Sequence, residues 1–287
     1  MRGRNFCLLS LLVLLAALAS ELPARGYTDA KPLRFDLYHD YLIVARGSVG
    51  SQNSLNFLVD TGTNPSVLDR RVAQKLHLQE RPSILAGING RVQAGQATVP
   101  SLQFGPIRRE NVNMVVTDLS FFSKAIPVPI DGVIGLDIVG QIPFEIDYSA
   151  SRITFGTVPA LKNSLPLEVR GGLAIVSADL NHLSTRLVLD TAASALILFA
   201  PPTPAMVSRV NAAAVQQSSS RMGEFERKPV QLRTLSLGQT ELREQPAFVV
   251  QKRWAGVEEF DGLMSPALLG ITRLAVDTQR GVVEFNR

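Results

Sequence analysis

Two stretches of the chain carry side chains whose type and spacing can do chemistry. Leu58-Val59-Asp60-Thr61-Gly62-Thr63 and Leu187-Val188-Leu189-Asp190-Thr191-Ala192-Ala193-Ser194 both run from aliphatic residues straight into Asp-Thr. A carboxylate delivered at the end of a buried strand must find partners or give up its charge. Two of them brought together share one proton: one stays charged as a base for water, the other stays neutral and polarises a carbonyl. That suffices to hydrolyse an amide without a metal or a covalent intermediate, which makes Asp60 and Asp190 the candidate catalytic pair. A single Asp-Thr-Gly is equally well an Asx-type turn, so the weight falls on spacing. The offset of 130 positions that relates Asp60 to Asp190 also carries Asp131-Gly132 onto Asp261-Gly262, Gly140 onto Gly270, Asp147 onto Asp277 and Phe155 onto Phe285. Such a repeat reads as a tandem duplication that places the same turn twice.

Strands must deliver these turns. Alternation and aliphatic runs predict them at 33–37, 41–44, 56–59, 101–104, 111–116, 144–147 and 152–155, with glycine-bearing apolar segments at 130–136 and 260–265. After the first turn, Leu68, Val72 and Leu76 recur every four positions, which predicts a helix over 66–76 capped by Ser66. Residues 85–95 read as a hairpin with Gly87, Ile88, Asn89 and Gly90 at its head, either an ordinary surface turn or a mobile flap that closes on an extended substrate. The second half repeats the plan with strands at 172–176, 186–189, 273–277 and 282–285. Pro201, Pro202 and Pro204 push any helix to 206–215, 216–221 reads as a loop, and Met222-Gly223-Glu224 heads a second hairpin. Ser265 stands where the first half has Gly135.

With 287 residues, 46% hydrophobic and 19% charged, the chain is globular and long enough for two cores. Its formal net charge of +4 comes from scattered Arg and Lys, so nucleic acid is not an expected partner. Arg2, Arg4, the apolar run 6–19 and the small residues Ala17-Leu18-Ala19 make residues 1–19 an export signal, and 20–32 a linker. That run is short for a membrane span, so cleavage without a remaining span is expected, with retention as an anchor the alternative. The single cysteine, Cys7, lies in this leader, leaving no disulfide for a periplasmic or secreted chain. Two halves follow, 33–160 and 161–287. His39, His77 and His182 have no metal-site spacing, Asp131, Asp261, Asp147 and Asp277 read as turn formers, and no metal or cofactor is expected.

Leu-Val-Asp-Thr-Gly-Thr at 58–63 and Asp-Gly-Val-Ile-Gly-Leu-Asp at 131–137 resemble the retropepsin-like branch of the aspartic proteases, and the repetition resembles the two-lobed pepsin arrangement. The resemblance covers about residues 33–287. It implies mainly β lobes about a pseudo-twofold axis, a monomer with one Asp from each lobe, and a peptide or unfolded protein bound extended between them. It further implies that Thr61 and Thr191 brace the turns across the axis and that 87–95 is the flap, which lacks the tyrosine of pepsin-like flaps. The departures are Ala192, where the family has Gly, and Ala193, which lacks the hydroxyl of Thr63. A Cβ at 192 is tolerated at negative φ but crowds the turn otherwise. Fewer hydrogen bonds to Asp190 make Asp60 the expected charged member and the pH optimum less acidic than in digestive relatives. The alternatives are two chains pairing their first halves, or a non-catalytic peptide-binding protein with a degenerate second half.

Overall fold

Apolar residues at every second position, broken by left-handed turn residues, leave the chain little choice but sheet. The computed structural model describes residues 31–87, 90–199, 207–210, 216–220, 223–250 and 260–287, and it is mainly β. The first half runs through β1 (Leu33–Tyr38), β2 (Leu42–Val49), β3 (Gln52–Val59), β4 (Val67–Asp69), α1 (Arg70–Lys75), β5 (Arg81–Gly87), β6 (Gly90–Phe104), β7 (Ile107–Thr117), β8 (Gly132–Ile134), α2 (Leu136–Val139), β9 (Phe144–Asp147) and β10 (Arg152–Phe155). The second comprises β11 (Asn163–Arg170), β12 (Leu173–Leu180), β13 (Leu183–Leu189), β14 (Leu196–Leu198), β15 (Val207–Val210), β16 (Gln216–Ser220), β17 (Gly223–Leu237), β18 (Thr240–Val250), β19 (Gly262–Met264), β20 (Arg273–Asp277) and β21 (Val282–Asn286).

The strands that matter most lie in pairs of the same kind in each half. β3 runs parallel to β8, with Val59 opposite Ile134, and β13 runs parallel to β19, with Leu189 opposite Met264. β4 and β14 each lie antiparallel to that inner strand and parallel to the next, β7 or β18. A separate antiparallel sheet ordered β1-β10-β9-β20-β21-β11 joins the halves. At its centre Phe144 faces Val276 and Ile146 faces Leu274, all fully buried. Burying side chains of this size contributes roughly 1.5–3 kcal/mol each, and the core they belong to extends from Phe35 to Phe285 without a break at the midpoint. Arg273 Nε also donates to buried Glu145 Oε1 across this seam at 2.7 Å.

Three local expectations are corrected. The helix predicted over 66–76 is confined to α1, with Asp69 rather than Ser66 as N-cap: Asp69 Oδ1 accepts from Arg71 N at 2.9 Å. Val67-Leu68-Asp69 instead pair with β7 and β8, because tertiary pairing of a fully buried segment outweighs its helical spacing. In the second half, residues 207–210 of the predicted helix form β15 and pair with β17, while 206 and 211–215 lie outside the described residues. The predicted loop is the strand β16 over Gln216–Ser220. The leader, residues 1–19, and nearly all of the 20–32 linker lie outside the described residues.

Candidate active site

β3 is buried along its final five residues and ends by hydrogen bonding Asp60 N to Ile134 O at 3.0 Å, so the carboxyl of Asp60 emerges from a fixed backbone. Thr63 N closes the turn on Asp60 O at 3.1 Å. Gly62 N donates to Asp60 Oδ1 at 2.9 Å and Thr63 Oγ1 donates to Asp60 Oδ2 at 2.7 Å, which stabilises the charged carboxylate. The second turn is built alike: Asp190 N donates to Met264 O at 2.9 Å and Ala192 N to Asp190 Oδ1 at 2.9 Å.

The turns meet through their threonines. Thr61 Oγ1 donates to Leu189 O at 2.6 Å and accepts from Thr191 N at 3.2 Å. Thr191 Oγ1 donates to Val59 O at 2.9 Å and accepts from Thr61 N at 3.1 Å. Both threonines are fully buried, so these four bonds are shielded from competition by water. They bring the two aspartates into one place: a Cβ added at Gly62 would lie 2.6 Å from Asp190 Cγ. Asp60 and Asp190 are themselves almost completely enclosed. Asp60, Asp190, Thr61, Gly62, Thr63, Thr191 and Ala192 therefore assemble at one point of the molecule.

Ala192 keeps a negative φ and its N–H still reaches Asp190, so the feared crowding of that bond does not arise. Its methyl packs into an apolar cluster of the first half that includes Leu58, Leu85, Ala94 and Val133. Leu85 and Ala94 belong to the hairpin expected over 85–95, whose strands β5 and β6 pair down to Gly87 opposite Gly90. Ile88 and Asn89, its two-residue head, lie outside the described residues. The second hairpin pairs down to Ser220 opposite Gly223, and Met222 of its expected head Met222-Gly223-Glu224 lies outside the described residues.

Of the four aspartates expected as turn formers, Asp147 and Asp277 act so, whereas Asp131 and Asp261 tie strands distant in sequence. Asp131 Oδ2 accepts from Asn56 N and Asp261 Oδ2 from Arg186 N, both at 2.9 Å; Asp147 and Asp277 cap the turns that follow them. All three histidines occupy left-handed turn positions, with φ of 52°, 51° and 70° at His39, His77 and His182.

Sequence reasoning missed the layer beneath the first turn. Ser66 Oγ donates to Asp137 Oδ1 at 2.6 Å, Ser66 N donates to Asp137 Oδ2 at 3.0 Å, and Gly135 N donates to Ser66 Oγ at 2.9 Å. Desolvation raises the Asp137 carboxyl above the usual carboxylate range, against the opposing pull of the Ser66 hydrogen bonds. The available signal was an acidic residue set in the apolar run 130–139.

Residues 45–138 match the family model of aspartyl proteases, of the retropepsin-like kind. No curated protein matches the chain.

Proposed function

We propose, from the aspartyl protease family that residues 45–138 match, that the whole chain is an exported aspartic endopeptidase whose dyad is Asp60 and Asp190. In this reading residues 33–160 and 161–287 are two lobes of one duplicated unit, and the protein works as a monomer. The observation that carries it is the reciprocal threonine bonding, which holds both Asp-Thr turns together with Gly62 directly against Asp190. The charged carboxylate takes a proton from water as its oxygen attacks the peptide carbonyl, and the neutral one donates to the carbonyl oxygen. The resulting diol collapses as a proton passes to the leaving nitrogen, breaking the C–N bond and returning the pair to one shared proton. The peptide lies extended between the lobes, covered by the 87–90 hairpin. Residues 1–19 serve as the export signal and are removed.

Cleavage of an unstructured protein over a pH series tests this with the full chain, Asp60→Asn and Asp190→Asn. Loss of about a thousandfold or more in both variants is expected. Loss in Asp60→Asn alone indicates pairing between chains, and an inactive wild type indicates a peptide-binding protein.

A further inference from the structure

The support beneath the two turns is not shared. Under Asp60, the carboxylate of Asp137 holds both the hydroxyl and the N–H of Ser66, and the same hydroxyl accepts from Gly135 N. Gly135 presses on the turn itself: a Cβ there would lie 2.2 Å from Thr63 O, and the next residue, Leu136, donates its N–H to that oxygen at 3.1 Å. Thr63 in turn donates its hydroxyl to Asp60 Oδ2. The corresponding positions under Asp190 are Leu196, Ser265, Ala267 and Ala193. The Ser265 hydroxyl is buried and makes no hydrogen bond among the described residues, and Ala193 has no side-chain hydroxyl to aim at Asp190.

We propose that Asp137 is a positioning residue for Asp60: through Ser66 and Gly135 it fixes Thr63 so that its hydroxyl stays aimed at Asp60 Oδ2. One aspartate of the pair is thereby held by a hydrogen-bonded brace that reaches two strands deep, and Leu196 and Ala267, at the positions that match Ser66 and Asp137, cannot form the same brace under the other. This rests on the reading of Asp60 and Asp190 as a working dyad. Asp190 faces the same turn across Gly62, so the titration of the two carboxyls is read as that of a pair.

The test combines carboxyl-carbon NMR titration of the full chain with kcat and KM on an unstructured peptide, for wild type, Asp137→Ala, Ser66→Ala, Thr63→Val and Asp137→Ala/Thr63→Val. Losing the donated bond weakens the charged form, so the lower midpoint of the pair rises by about one unit in each single variant. The same variants lower kcat roughly 10- to 100-fold with KM little changed. The double variant is no worse than Thr63→Val, because both changes cut one relay. Should Asp137→Ala fail to fold, Ser66→Ala carries the same expectation. Unmoved midpoints in a folded variant, or losses that multiply in the double variant, overturn the brace. If wild type cleaves nothing yet the midpoint moves, the brace stands and the peptidase reading falls.

Discussion

The two Asp-Thr turns share their upper contacts and differ in their lower ones. Above, each threonine gives and receives the same pair of bonds, and each carboxylate takes the N–H two residues on. Below, the first turn stands on the Ser66–Asp137 pair and the second on Leu196 and Ala193, both buried in apolar clusters. The shared part joins the halves and tolerates little change in either. The unshared part concerns one turn at a time, so one turn can stand on a Ser–Asp pair that the other does not repeat.

The sharpest way to break the comparison is to exchange the residues at its centre. Gly62→Ala drives a methyl to within 2.6 Å of the Asp190 carboxyl, which is short and already held by Ala192 N. We expect a loss of about 100-fold or more in kcat/KM. Ala192→Gly instead deletes a methyl from the Leu85 cluster, leaves kcat/KM nearly unchanged, and costs about 1 kcal/mol in urea denaturation. Equal effects from the two changes would remove the asymmetry.

The shared layer makes the opposite forecast. Thr61→Val and Thr191→Val each delete a buried hydroxyl that donates to one carbonyl and accepts one N–H across the divide. Each leaves those partners unmatched, at about 2–4 kcal/mol, measured by denaturant unfolding. The two values are expected to agree closely, since the bonding is reciprocal.

What the sequence made legible follows the same division. The strands flanking both turns were readable because aliphatic runs such as Leu187-Val188-Leu189 have no other way to be buried, and β9, β10 and β20 start and stop where expected. That the turns of Asp60 and Asp190 meet was expected from their shared 130-position offset, and their threonines do bond across it. Ser66 was misread because a serine before an apolar repeat looks the same whether it caps a helix or reaches a distant carboxylate. Asp137 lies 71 positions from that serine, and only the β4–β8 pairing brings the two together. The segment at 207–210 went wrong for a related reason: its strand character comes from pairing with β17, not from its own residues.

A pH series separates the polar support from the apolar one. Asp137 has its carboxyl raised by desolvation from the ordinary value of 3.8, so the folded chain binds a proton there that the unfolded chain has released. The favourable contribution is present at acid pH and declines as pH rises through the interval between the two values. Wild type is therefore expected to lose stability relative to Asp137→Asn on going from about pH 4 to about pH 7. Urea midpoints of both proteins at each pH check the sign. At Leu196, Leu196→Ala destabilises by about 2–5 kcal/mol at either pH, because no proton is involved.

The smallest expected effect lies where the walls under the two hairpins diverge. Ala94, opposite Ser83 in the first hairpin, packs into the apolar cluster that receives Ala192. Its counterpart Arg227, opposite Gln216, is buried with its guanidinium carbon 3.8 Å from the centre of the Phe248 ring, and its Nη2 donates to Gln216 Oε1 at 2.9 Å. Phe248 in turn packs against the cluster that contains Ala193. A cation over a desolvated ring contributes about 1–2 kcal/mol beyond simple burial. A double-mutant cycle of Arg227→Met and Phe248→Leu should return a coupling of that size, since each change keeps most of the apolar volume and removes one partner of the stack. A coupling near zero would mean that the ring adds nothing beyond burial to what holds the arginine, and that the second wall is as apolar in its energetics as the first.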